Sequence, residues 1–206
     1  CDILARYHRL DNKNVYFLTG TDEHGQKVEQ SAKSKNTSTK ELTDRMSKNF
    51  LDLTKILNCT NNDFIRTTEE RHKISVHKLW NILLKNDQIY LDKYKGWYSI
   101  RDEAFFDEKE LKKINSEYYA PTGAKVEWIE EESYFFRLSN WTDKLLEFYD
   151  KNPDFVAPDT RFNEVKSFVK SGLKDLSISR TTFNWGIPVP NNNNHVIYVW
   201  LDALQN

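Results

Sequence analysis

Cysteine is nearly absent. Cys1 and Cys59 are the two in 206 residues, too few for a disulfide framework, and they form none of the paired spacings that signal structural zinc. The setting this implies is a reducing compartment, the cytoplasm first, with an organelle reached through a removed leader as the alternative. Long apolar runs are missing too. No stretch reaches the roughly 18 residues that a membrane-spanning helix needs, so no membrane partner is expected. Charge of one sign is lacking: 30 basic and 31 acidic residues leave a net −1, which excludes a global field for the phosphate backbone of RNA and restricts any such contact to a local patch. An initiator Met with a charged and apolar leader is also missing. The chain opens on Cys1-Asp2-Ile3-Leu4-Ala5-Arg6, which reads as a start in mid-protein.

What is present divides into three stretches. Ile3, Leu4, Tyr7 and Leu10 fall at helical spacing, Asp11-Asn12-Lys13-Asn14 makes a polar break, and Val15-Tyr16-Phe17-Leu18 reads as a buried strand. The strand is expected to end in a glycine-punctuated polar loop, Thr19 to Gly25, before a helix from Gln26 to Ser34, the first half of an α/β unit. Ser38 with Glu41 is a capping box, and Leu42, Met46, Phe50, Leu53 and Leu57 keep helical period after it. Thr67 with Glu70 repeats the signal, followed by Ile74, His77, Trp80 and Leu84 on one face up to Asn86. From about Ile89 to Leu138 short aromatic runs alternate with charged segments, the texture of a small β-rich insertion. Helices return at Trp141 to Tyr149 and Phe162 to Lys170, and two strands close the chain, Leu176 to Arg180 and Val196 to Leu201.

In open α/β sheets ligands gather beyond the carboxyl ends of strands. Two segments are expected there: Asp22-Glu23-His24-Gly25, and Trp200-Leu201-Asp202-Ala203. A carboxylate such as Asp22 suits a substrate ammonium through a charge-assisted hydrogen bond, while the plainer reading makes it a cap of the following helix. His24 beside two carboxylates invites a metal, but no His-Glu-x-x-His or Cys cluster supports one, and a local hydrogen-bonding role is the simpler account. Trp200, Tyr198 and Trp185 read as core aromatics. Arg180 reads either as an exposed strand-end charge or as a fixed cation beside a phosphate or carboxylate.

The string Phe17-Leu18-Thr19-Gly20-Thr21-Asp22-Glu23-His24-Gly25-Gln26-Lys27 resembles a segment of the methionyl-tRNA synthetases, class I aminoacyl-tRNA synthetases. Further stretches resemble the family in the same order: Asp2 to Tyr7, Gly96 to Ser99, Glu132 to Leu138, Asp175 to Arg180, Trp185 to Pro190 and Tyr198 to Leu204. The resemblance covers nearly the whole chain. It implies an α/β fold with a Rossmann-like parallel sheet, its first part at 1–88, a connective insertion at 89–138, and a return to the catalytic domain at 139–206. It implies ATP-dependent activation of L-methionine, with ATP and Mg as substrate, and transfer to tRNA(Met). Asp22 would hold the α-ammonium. Leu176, Trp200, Ala203 and Leu204 would line the side-chain pocket, with Tyr198 and Val199 bordering it. His24 and Gly25 would lie beside the adenylate, and Arg180 would support the reacting carboxyl and phosphate as the catalytic cation. Another class I synthetase for an aliphatic amino acid, or a non-catalytic tRNA-binding module, are the competing readings.

The sequence departs from the family pattern in two ways. The His-Ile-Gly-His and Lys-Met-Ser-Lys-Ser motifs are absent, so the fragment alone is expected to be inactive. Where many relatives carry Cys-x-x-Cys knuckles this chain reads Ser99-Ile100-Arg101-Asp102 and Ala120-Pro121-Thr122-Gly123, which cannot supply four thiolates, so an insertion without zinc is expected.

Overall fold

The computed structural model describes residues 1–102 and 104–205. The first α/β unit is built from helix α1 (Asp2–Leu10), strand β1 (Leu18–Thr21), helices α2 (Gln26–Ser34) and α3 (Thr39–Ile56), and strand β2 (Asp63–Arg66). β1 and β2 pair in parallel, Leu18 opposite Asp63 through Thr21 opposite Arg66. The crossover through α2 and α3 is what a parallel pair requires. The strand lies three residues later than the apolar run suggested, and Thr19 and Gly20 belong to it. The apolar Val15–Leu18 run signalled the strand but did not locate it.

The capping box at Ser38 forms as expected: the Glu41 amide donates to Ser38 Oγ at 3.2 Å, and the Ser38 amide donates back to the Glu41 carboxylate at 3.1 Å. Leu42 is buried beneath it, while Met46, Phe50, Leu53 and Leu57 remain exposed. Helix α4 (Glu70–Lys85) differs from its sequence reading in two respects. Its cap is Glu69, without a side-chain bond, because the Thr67 hydroxyl accepts from the amide of Glu23 at 2.9 Å instead. Its buried face is His72, Val76 and Trp80 rather than Ile74, His77, Trp80 and Leu84. Spacing alone leaves a helix face free to rotate by part of a turn, and the partners decide. Val76 and Trp80 join Ile89, Ile178, Ile187, Val189 and Ile197 in the main core cluster.

The middle stretch is a long hairpin. Strand β3 (Ile89–Ser99) pairs antiparallel with β7 (Glu127–Phe136), Ile89 opposite Phe136 through Tyr98 opposite Glu127. Strand β4 (Ala104–Phe106) pairs with β3, and the hairpin β5 (Lys112–Ile114) with β6 (Glu117–Tyr119) follows it in the chain as a separate two-stranded sheet. A second small core forms here from Ala120, Ala124 and Val126 with Trp97, Phe106, Leu111 and Tyr118. Trp97 stacks 4.3 Å from Tyr118 and 5.4 Å from Trp128. β7 also pairs with the two-residue strand β8 (Leu176–Ser177), so one four-stranded sheet runs across position 138.

After α5 (Thr142–Lys151) and α6 (Asp159–Lys170), β8 leads into β9 (Ser179–Arg180), β10 (Pro188–Val189) and β11 (Asn192–Ile197), the last three forming a separate antiparallel sheet. The final strand expected through Leu201 stops at Ile197. Tyr198 caps a five-residue helix, α7 (Val199–Ala203), so Trp200 stands on a helix turn and not at a strand end.

Candidate functional site

The loop after β1 is fixed by a residue that the sequence did not single out. Glu23 is 3% exposed, and a carboxylate that deep needs its lone pairs filled. Arg66 donates to it from Nε at 2.7 Å and Nη2 at 2.9 Å, and the hydroxyls of Thr21 and Thr68 each donate at 2.6 Å. Burial pushes the Glu23 carboxyl up, but these bonds outweigh it and hold it below its ordinary value. Arg66 also reaches Asp44 at 2.7 Å, so the loop is riveted to β2 and α3 together. No local pattern announces this network, because apart from Thr21 its partners Arg66 and Thr68 lie 43 and 45 residues from Glu23.

Gly25 follows with φ 107° and is the cap of α2. Only glycine adopts that backbone without strain. Its amide donates to the Trp185 carbonyl at 3.2 Å, and the Trp185 indole donates to the Glu23 carbonyl at 2.6 Å. Asp22 thus stands three residues before the cap of α2, not at it. It is exposed at the mouth of a cavity of about 330 Å³ between α2 and α3, whose walls include Val28, Leu42, Met46 and Phe50.

His24 is buried and turns toward α7. Its Nδ1 lies 2.7 Å from Asp202 Oδ2, and His72 Nε2, from α4, lies 2.5 Å from the other oxygen, Oδ1. Asp202 is fully buried. Burial pushes its carboxyl up, yet the hydrogen bonds from His24 and His72 prevail and hold it below its ordinary value. An ionised carboxylate only accepts, so both facing nitrogens carry protons. Trp185 packs edge-on against His24 at 5.9 Å. Of the two carboxylates flanking the predicted strand-end segments, the sequence reading weighed Asp22; the one that joins the segments is Asp202.

Leu176, Tyr198, Trp200 and Leu204 are brought together around a wholly apolar cavity of about 220 Å³, with Leu83, Phe136, Leu138, Ile178 and Leu201 completing the wall. Val199 is buried and Ala203 half-buried on the same helix, outside that wall. Asp22 lines a different cavity. β1 and β11 stand in separate sheets rather than in one. They are tied instead through His24 and Asp202.

Arg180 is 3% exposed, which overturns its reading as a solvent-facing charge. Its guanidinium lies 4.3 Å over the Tyr198 ring, 5.2 Å over Phe105 and 5.4 Å over Tyr98, an aromatic cage suited to a cation. Nη1 donates to Ser177 Oγ at 2.8 Å and to the Ser179 carbonyl at 2.7 Å, while Nε has no hydrogen-bond partner among the described residues. A buried seam of hydroxyls supports it: Ser133 Oγ lies 2.6 Å from Ser177 Oγ, and Ser179 Oγ is 3.0 Å from His195 Nδ1.

At the insertion tip the two knuckle-equivalent loops meet through Asp102, which accepts from Ser99 Oγ at 2.9 Å and Thr122 Oγ1 at 2.6 Å, while Arg101 donates to the Thr122 carbonyl at 2.6 Å. Among the described residues no group of three His, Cys, Asp or Glu is placed to hold a metal, and no helix is long and apolar enough to cross a membrane.

Comparison with known proteins gives this arrangement its kin. The methionine–tRNA ligase of Rickettsia typhi is 63% identical over 205 residues, covering 100% of this chain and 40% of that protein. A crystal structure of Mycobacterium tuberculosis methionyl-tRNA synthetase bound by methionyl-adenylate superposes with a TM-score of 0.96 at 51% identity, covering 100% of this chain and 41% of the other. The apo form of the same enzyme gives 0.81 at 48% identity over 99% and 39%. The chain thus spans about 40% of the length of the relatives it matches. The family model for tRNA synthetases class I (M) matches residues 1–117 and 112–206, and on that match, which takes in every element described above, the chain belongs to this family.

Proposed function

We propose that the chain is the part of a methionine–tRNA ligase that receives the amino acid, acting in translation in the cytoplasm. The observation that carries this is the apolar cavity: four residues expected to form the methionine pocket, Leu176, Tyr198, Trp200 and Leu204, share its wall. A flexible, polarizable thioether packs well against such a lining. In this reading Asp22 binds the α-ammonium, Val199 and Ala203 complete the pocket from α7, and His24 and Gly25 border the adenylate. The methionine carboxylate attacks the α-phosphate of ATP, which enters with Mg, giving methionyl-adenylate and pyrophosphate. The methionyl group then passes to tRNA(Met). Arg180 steadies the carboxyl and phosphate; its unpartnered Nε is a donor left over from the cage. Catalysis of this kind rests on positioning and on stabilising charge as it develops. Residues 1–88 and 139–206 belong to the catalytic core in this reading and 89–138 to the connective insertion.

The test is methionine-dependent ATP–pyrophosphate exchange by the protein carried at the full length of its relatives. Exchange with methionine, and little with leucine or isoleucine, is the expected result. Asp22→Ala is expected to raise the KM for methionine roughly ten- to a hundredfold, the worth of one hydrogen bond to a charged group. Equal exchange with leucine, or an unmoved KM in the variant, would refute the reading.

We further propose that the insertion needs no zinc, its tip being closed by the Ser99, Asp102 and Thr122 hydrogen bonds. Elemental analysis of protein purified without added metal is expected to find none at stoichiometric level; one zinc per chain would overturn this.

A further inference from the structure

Asp202 is a residue for which the proposed chemistry has no use. It is fully buried, it faces no cavity described above, and both its oxygens are spent on histidines. His24 reaches it from the loop after β1, His72 from α4, and Asp202 itself rides on α7, two residues beyond Trp200. Three elements distant in sequence, by 178 and 130 residues, thus meet on one carboxylate. A buried anion with both oxygens satisfied is costly to assemble and tolerates little displacement.

We propose that Asp202 is the positioning residue of the amino-acid pocket, fixing the orientation of the helix that carries Trp200 against the loop that carries Asp22. This rests on the reading of the pocket given above. α7 is five residues long and its own backbone bonds are local: the amides of Leu201 and Asp202 donate to the Tyr198 carbonyl, and Gln205 to Asp202. Leu201 packs on the main core and sets the depth of the helix. Apolar contacts such as this one, and the burial of Val199 beside it, have no direction of their own, whereas two hydrogen bonds from one carboxylate, aimed at nitrogens on two other elements, do. Trp200 and Leu204 are exposed by 59% and 75%, so they do not anchor themselves. Their place on the pocket wall follows from the neighbour that does.

The experiment compares Asp202→Asn, His72→Gln and His72→Ala in methionine-dependent exchange, in the protein at the full length of its relatives, with thermal unfolding alongside. Asparagine keeps the size but turns one acceptor into a donor, so one imidazole must move its proton or lose its partner. The expected result is a methionine KM raised about tenfold, the cost of one charge-assisted bond, with the KM for ATP held at temperatures below the variant's own, lowered, melting point. His72→Gln, whose amide nitrogen replaces Nε2 as donor, is expected to restore the parental methionine KM, and His72→Ala to match Asp202→Asn. A parental methionine KM in Asp202→Asn, or both KM values rising together below that melting point, overturns the proposal. If Asp202→Asn does not fold, the contrast between the two His72 variants decides it by the same split. A parent enzyme that exchanges with methionine while Asp202→Asn is unaffected sinks this inference alone; a parent that does not exchange takes the reading of the pocket down with it.

Discussion

Glu23→Ala lowers the unfolding free energy by about 3–5 kcal/mol, the range for removing one partner of a buried, hydrogen-bonded ion pair. The magnitude follows from what is stranded. Arg66 loses two of its bonds and keeps Asp44, the Thr68 hydroxyl loses its acceptor, and Thr21 is left with Ser47 Oγ at 3.1 Å. The measurement is a urea melt, read as a shift in midpoint at constant slope. The same residue sets an acid dependence. Its folded carboxyl titrates below the ordinary value of 4.5, so the stability it contributes is whole above that value and drains away as pH falls through the folded one. The gap between parent and variant should therefore be wide at neutral pH and narrow as the pH falls below the ordinary carboxylate range. Asp202, held below 3.8, remains in both proteins and adds the same slope to each. A midpoint unchanged at neutral pH would mean that the loop after β1 is held by something other than Glu23.

Gly20→Ala is the second large effect, about 3 kcal/mol at the upper end of the cost of overpacking, or about 10 °C in a chain of this size. A Cβ built on Gly20 would sit 2.0 Å from the carbonyl oxygen of Ile65 and 2.7 Å from its Cγ2. The first of these is backbone of the paired strand, which no side-chain rotation can clear. β1 would have to part from β2, and Asp22 and Glu23 would move with it. A melting temperature within a degree or two of the parent's would show that the pair separates at little cost.

These two residues also mark where the sequence could be read and where it could not. Gly20 looked like loop punctuation, because glycine between threonines is a turn signal; its actual reason is the close approach of a neighbouring backbone, which only the pairing with Ile65 reveals. Ser38 and Glu41 were legible since their bonds span three residues. Thr67 and Glu70 carry the same signal, yet the Thr67 hydroxyl serves the amide of Glu23, 44 residues away; a tertiary partner outbid the local one. Tyr198 to Leu201 has the β-branched and aromatic texture of a strand, and a run that short cannot be told from a buried helical turn by periodicity. The pocket wall was legible through resemblance, as Leu176, Tyr198, Trp200 and Leu204 lie in strings shared with the family. The carboxylates that organise the site were not. Glu23 and Asp202 act through Arg66, His24 and His72, partners with no fixed spacing from them.

The sheet that runs from β3 through β7 into β8 has a mechanical meaning. Bodies joined by loops alone swing about them as hinges, whereas bodies sharing a hydrogen-bonded ladder must shear it to move apart. β7 begins opposite Tyr98 and ends beside Leu176; Ser133 on that strand touches Ser177, and Ser177 holds Arg180. The ladder thus runs without a break from the insertion to the strand beside a caged cation, 4.3 Å from the ring of Tyr198, on the wall of the apolar cavity. The segment that looks like an ornament on the core cannot part from it without breaking that ladder.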